Sequence, residues 1–309
     1  MEMVRKFGLL AVSVVLLSGC SFLALSPFPS FLSEAEHSQD LSGKLADGDG
    51  DISLKAVRNQ NGEYLILVQM PFSGALPRAI IMDSDLNVKA VITDQLVGRV
   101  VCVAPDGEFI IGQTVVRTDF TLNITNTPLG SYDAYQNRAI SNGTNVYVLY
   151  ANSSDQLAHD TSTLLMWDPG AGYSIPSIDG SGSPDYYLQT AAADKAAGYG
   201  YFVFELYGTL TAVQVPLLSV ASLTSPLIAS YPAVTVTNVD NGRVSVTREG
   251  VVYRDYDDMI RLKDFSGNVV AEQRERGMWN YLETYNVEGT HRYLFDRDKQ
   301  MVFQAGVWW

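Results

Sequence analysis

Two thiols, three imidazoles and a few acidic clusters are the groups in this 309-residue chain with chemistry to offer. Cys20 closes a short N-terminal segment in which Arg5 and Lys6 precede a nearly all-apolar run over residues 7–17, followed by the small residues Ser18 and Gly19. Cys102 lies in the strand-like run Val100-Val101-Cys102-Val103-Ala104. A thiol in such a run reads as buried and inert. His37, His159 and His291 are isolated in sequence. Asp155, His159 and Asp160 have a spacing that a metal loop would use, but a polar loop is the better account of them. Asp47-Gly48-Asp49-Gly50-Asp51 invites a calcium reading. Counted from Asp47, however, the sixth and twelfth positions hold Ile52 and Arg58 where an EF-hand needs Gly and Glu. Asp255, Asp257 and Asp258, beside Tyr253, Arg254 and Tyr256, form the densest acidic knot. Paired carboxylates are the acid and base of glycoside hydrolysis. No partner carboxylate can be placed from sequence, and a solvated connection between strands accounts for the knot. Trp279 and Trp308-Trp309 offer stacking surfaces for a sugar or a partner, or fill a core. The chain has no phosphate-cradling Gly-rich Lys loop, no His-Glu-x-x-His, no Gly-x-Ser-x-Gly and no Cys-x-x-Cys. No catalytic residue, cofactor or metal is therefore expected, and the enzyme question leans to no.

The elements around Cys20 are those of an export signal: a positive start, an apolar stretch and small residues at the cut. About eleven apolar residues in a helix fall short of a bilayer core of roughly 30 Å, so a permanent membrane span is the poorer reading. Leu17-Ser18-Gly19-Cys20 resembles the lipobox of bacterial lipoproteins. The resemblance implies lipid on the Cys20 thiol and cleavage between Gly19 and Cys20. In many bacteria the new amine is acylated too, and several acyl chains hold a membrane far more stably than one. It places the mature protein in the cell envelope. Ser21, where Asp would retain the protein in the inner membrane of some bacteria, favours the outer membrane. With Cys20 lipidated, Cys102 has no disulfide partner.

The formal net charge is −13. Loss of Glu2, Arg5 and Lys6 with the signal removes a net positive charge and leaves −14. Such acidity argues against nucleic acid as a partner and against adhesion to anionic lipid through a basic patch. Seventeen Tyr and twelve Phe, with abundant Val and Thr, point to strands.

The expected layout is a signal peptide over 1–19, a lipidated Cys and tether over 20–45, and an all-β domain over 46–309. Pro27 and Pro29 keep the tether from forming a regular helix, although a helical turn around residues 32–37 is allowed. Beyond Ile52 a unit recurs in which a polar residue and Gly precede a β-rich run. Its glycines are Gly62, Gly107, Gly143, Gly200, Gly242 and Gly289, spaced 36 to 57 residues apart. Asx-Gly is a tight-turn signal, and several short strands per repeat of this length are the mark of a propeller blade. Three further hairpins, over 78–92, 164–175 and 259–272, resemble those of WD40- or NHL-type β-propellers. Six or seven blades follow, closed by pairing Ile52–Val57 with the last unit, in which two strands fit after Gly289. Two packed β-sandwich domains are the alternative architecture. Residues 191–197 read as a short helix or a rim loop, and residues 206–233 as edge strands or loops.

A propeller on a lipid anchor is similar in layout to an outer-membrane assembly lipoprotein. It implies a non-enzymatic scaffold that displays loops to another envelope protein. A carbohydrate- or small-ligand-binding module and a glycan-acting hydrolase or lyase are the alternatives.

Overall fold

The structure is a computed structural model. It describes residues 35–99, 101–104, 107–112, 114–123, 187–206, 209–217, 233–237, 239–275, 277–278 and 280–309, together with the strands of a third sheet between residues 138 and 174. The lipobox, Asp155, His159, Asp160 and Trp279 lie outside these residues.

Among the described residues, twenty-four strands form six four-stranded sheets, each antiparallel throughout. The first holds β2 (Gly50–Asn59), β3 (Gly62–Pro71), β4 (Arg78–Asp83) and β5 (Val88–Thr93). The second holds β6 (Val101–Val103), β7 (Phe109–Ile111), β8 (Thr114–Val116) and β9 (Leu122–Asn123). The third holds β10 (Arg138–Ser141), β11 (Val146–Ala151), β12 (Ser162–Asp168) and β13 (Gly172–Ser174). The fourth runs through β14 (Tyr187–Asp194), β15 (Tyr199–Leu206), β16 (Thr209–Pro216) and β17 (Ala233–Val236). The fifth runs through β18 (Val239–Thr247), β19 (Gly250–Asp255), β20 (Met259–Lys263) and β21 (Val269–Arg274). The last joins β22 (Tyr281–Tyr285), β23 (Arg292–Asp296) and β24 (Met301–Ala305) to β1 (Ala35–Asp40). The first strands of the sheets touch in the order β2, β6, β10, β14, β18, β22 and back to β2. A ring of sheets around one axis is a β-propeller, and it replaces the two-sandwich alternative.

Strand β3 shows why neighbouring sheets stack. Side chains alternate sides along a strand. Ile66 and Val68 pack with Val101, Val103 and Phe109 of the second sheet. Leu65 and Leu67 pack with Tyr293, Phe295 and Val302 of the last. Both faces are therefore buried, which explains the continuous apolar run. Each such fully buried side chain contributes on the order of 1.5–3 kcal/mol. The same logic joins Tyr201, Val203 and Ala212 to Val246, Val251 and Tyr253 between the fourth and fifth sheets.

Gly62, Gly107 and Gly289 sit in the turns between the first two strands of their sheets, at φ of 142°, 92° and 71°. Each repeat thus begins one strand before its glycine. Ile52–Val57 belongs to β2, because the tight Asn59–Gly62 turn pairs it locally with β3. The expected closure by this segment is corrected. Ala35–Asp40 closes the ring instead, with Ala35 opposite Ala305 and Asp40 opposite Met301. The propeller therefore takes in residues 35–40, ahead of the expected boundary at 46, and His37 is in a strand and not a helical turn. Residues 41–49, assigned in part to the tether, link β1 to β2 and bury Leu41 and Leu45.

Other expectations shift as well. Gly242 lies inside β18 at a register irregularity, and the turn glycine there is Gly250. In the fourth sheet the turn falls at Gly198, with Gly200 paired in β15. Ala191–Asp194 is the end of β14, not a helix or rim loop. Strand β16 is flanked on both sides by β15 and β17, so it is internal to its sheet and not an edge. The last unit also gains β22 ahead of its glycine, and Trp308 follows β24 without joining it.

Candidate functional site

The first strands of the sheets run in one direction and line a central channel. Its upper mouth is at the starts of these strands, near Asp51 and Tyr281. Its lower mouth is at their ends, near Asn59 and Asp194. Ala35 and the C-terminal tryptophans are at the lower face, because Ala35 pairs with Ala305 and Trp309 stacks on Tyr285 with centroids 5.1 Å apart. Trp308 and Trp309 pack with Val252, Ile260 and Leu262. They fill the seam between the fifth and last sheets, as the core reading of these residues anticipates.

Lys55 divides the channel. Its Nζ reaches from β2 to the opposite side of the ring and donates to the Ala191 carbonyl at 2.5 Å and to Thr190 Oγ1 at 3.2 Å. Below it is a cavity of about 420 Å³ whose charged lining is Lys55, Arg58, Lys195, Glu63, Asp194 and Glu288. Three cations face three carboxylates there. Arg58 pairs with Glu288 at 2.5 Å, and Asp194 pairs with Arg248 at 2.6 Å. Burial opposes the Asp194 charge, but the Arg248 bond and backbone amides outweigh it and hold the carboxyl below its ordinary range. Cys102 lines this cavity while being buried. Burial pushes its thiol up to about 12, which makes it inert, as its apolar run implies.

Above Lys55 is a second cavity, of about 500 Å³. Its charged lining is Asp51, Lys55, Arg99, Arg243, Glu283 and Arg297. Asp51 is paired with Arg99. Glu283 is held from behind the wall, its Oε1 accepting from Arg292 Nε at 2.8 Å and its Oε2 from Arg254 Nη2 at 3.2 Å. Tyr285 also donates to Glu283 Oε1 at 2.6 Å. Arg292 makes two further bonds to Glu275, at 2.8 and 2.5 Å. Burial alone would raise the Glu283 carboxyl, but Arg292 and Arg254 bring it below its ordinary value.

The seam between the first and last sheets carries a second polar lock. Glu63 accepts from Asn286 Nδ2 at 2.7 Å and from Tyr293 OH at 2.5 Å, and His291 Nδ1 lies 2.7 Å from its Oε1. Burial, and then the Glu63 charge, push the Tyr293 hydroxyl far above its ordinary value. His291, isolated in sequence, is thus a seam residue just ahead of β23.

The acidic knot is a turn, not an acid–base pair. Asp255 accepts from the amides of Asp257 and Met259 at 2.9 and 3.0 Å and pairs with Arg261. Asp258 holds a φ of 61° in that turn. At the other motif Asp51 pairs with Arg99, and the Asp47 carbonyl accepts from Ser73. Among the described residues no group of three or more His, Cys, Asp or Glu is placed to hold a metal. No helix among them is long and apolar enough to cross a membrane. The upper mouth escaped sequence reading, because Lys55, Arg99, Arg243 and Arg297 share no local pattern.

Two loops on the upper-mouth side of the ring carry exposed apolar side chains. The β3–β4 loop exposes Phe72 (72%) and Leu76 (51%), and the β19–β20 loop exposes Tyr256 (62%).

No protein-family model and no curated sequence matches this chain. Among solved structures, the chain is similar to the β-propeller domain of Cps50 (Swd1) from Myceliophteria thermophila. Identity is 10%, coverage is 89% of this chain and 99% of that one, and the TM-score is 0.49. It is also similar to the Dos1 propeller, at 9% identity, 84% and 70% coverage and a TM-score of 0.43.

Proposed function

We propose that this chain is a lipoprotein of the bacterial cell envelope whose propeller is a rigid scaffold for a protein partner. Cleavage between Gly19 and Cys20 and lipid on Cys20 anchor it, with the outer membrane the favoured location on the strength of Ser21. The partner reading is carried by the upper face, where Phe72, Leu76 and Tyr256 are held in water on short loops between buried strands. Exposed aromatic and aliphatic anchors on a rigid frame are the usual core of a protein interface. Ala35 and Ala305 pair at the lower face, on the side away from these residues.

The test places a photo-cross-linking residue at position 72, 256 or 270 in turn and irradiates cells. A single discrete adduct from positions 72 and 256 and none from 270, on the outer edge of β21, is expected. The same partner should be lost on co-purification of Phe72→Ser. Adducts from no position, or equally from all three, overturn the scaffold reading. The anchor is tested separately: Cys20→Ala loses metabolic palmitate label and membrane retention. A mutant that stays labelled and membrane-bound overturns that part.

A further inference from the structure

We infer that the seam closing the ring, between the last and first sheets, is a pH-sensitive lock that tightens when its two imidazoles take up protons. The inference depends neither on the lipid anchor nor on the protein partner. The chain has three histidines, and the two among the described residues, His37 and His291, both bridge this one seam. Each reaches from the last sheet to a carboxylate of the first. His291 Nδ1 is 2.7 Å from Glu63 Oε1 of β3, and His37 Nε2 is 3.8 Å from Asp85 Oδ1 in the β4–β5 turn. Glu63 is buried, whereas His291, His37 and Asp85 reach water. Imidazole is the side chain that changes charge between about pH 5 and 8. The described imidazoles therefore sit where the two ends of the ring are joined.

The permanent cations around the seam have other partners. Arg58 of β2 pairs with Glu288, and Lys89 of β5 pairs with Asp83. From the fifth sheet, Arg248 donates its amide to the Val287 carbonyl and pairs through its side chain with Asp194. Arg58 and Lys89 also attract Glu63 and Asp85, but less than they attract their own partners. Among the described residues, the ion-pair partner of Glu63 is His291, and that of Asp85 is His37. Glu36, exposed beside His37 on β1, adds a further negative charge at that edge. The other donors to Glu63, Asn286 and Tyr293, are neutral. Burial holds the Tyr293 hydroxyl far above its ordinary value, so it keeps its proton. A carboxylate only accepts, so Nδ1 carries the hydrogen of the His291–Glu63 bond. A second proton enters at Nε2 and makes that bond charge-assisted, roughly twice as strong. Glu63 and His291 are 228 residues apart, so the unfolded chain offers no such pairing. The gain is therefore present below the ordinary imidazole value of about 6.5 and is lost as pH rises through the imidazole range.

Hydrogen exchange of the full chain in non-ionic detergent micelles tests the inference, read at the amides of β1, β23 and β24 on the acid and alkaline sides of the imidazole range, about pH 5.5 and about pH 7.5. Variant and parent are compared as a ratio of exchange rates at each pH, so intrinsic exchange and His159, present throughout, cancel. His291→Gln should speed exchange, and by about fivefold or more further on the acid side. His37→Gln, at an exposed pair, should act in the same direction by about twofold or less. In a Glu63→Gln background the extra acid effect of His291→Gln should vanish. The inference is overturned if His291→Gln speeds exchange equally on both sides, or more on the alkaline side. Persistence of the extra acid effect with Glu63→Gln also overturns it, and would assign the effect to another group. If Glu63→Gln does not fold, the His291→Gln ratios decide alone.

Discussion

Replacing Arg292 by Leu removes the centre of the ionic knot that joins the last two sheets. Arg292 is 1% exposed and makes three bonds to two glutamates, all between 2.5 and 2.8 Å. The replacement leaves Glu275 and Glu283 buried with Arg254 as their remaining charged partner, 3.6 and 3.2 Å away. Stranding a buried charge in this way costs about 3–5 kcal/mol. With a urea m-value of about 3 kcal/mol/M, the midpoint should fall by about 1 M or more. Acid should shrink this penalty. In the parent, the Glu283 carboxyl is held below its ordinary value, so its contribution is full above that value and is lost only as pH falls through the lowered one. In the variant, burial without Arg292 favours the protonated form, so Glu283 takes up a proton at higher pH and sheds its charge. The gap between parent and variant should therefore narrow between pH 7 and about pH 4. Urea titrations followed by tyrosine and tryptophan fluorescence at the two pH values measure it. A loss under about 1 kcal/mol at pH 7, or a gap that stays constant with pH, would refute the knot as a stabilising element.

Two other outcomes are expected. Gly250→Ala should destabilise by about 2 kcal/mol or more, because φ is 153° and a Cβ would run into the Lys263 carbonyl; a thermal melt of the variant checks it. Cys102 should resist a thiol reagent at pH 8 in the folded protein and react at once in urea, given its burial and its thiol near 12. The number of thiols titrated in urea should be one for the lipidated chain and two if Cys20 is free.

What sequence disclosed here followed from local chemistry. The Asn61-Gly62 and Glu288-Gly289 turns were legible because two or three residues decide them. The hairpins β4–β5 and β20–β21 were legible for the same reason: Asp83 and Asp264 each accept from the amide of an Asn four residues on, at 2.8 Å. Gly242 misled because a bulge inside a strand and a turn can share the same dipeptide. Strand β1 was hidden because its sequence, Ala-Glu-His-Ser-Gln-Asp, is an edge strand with little to bury. It stays largely exposed, and only its pairing with a strand at the far end of the chain makes it part of the sheet. The upper mouth was hidden in the same way. Its cations belong to strands and loops that only the closed ring brings together.

The pairing of β1 with β24 also dictates an order of events. The closing strand is made first, and its partner is among the last segments to be made. Loop-closure entropy over nearly the whole described chain must be met before that contact gives anything back. Until then β24 is an open edge, and the last sheet lacks its outermost strand. The final lock is withheld until β24 has emerged and folded against β1, which makes ring closure a late step in folding.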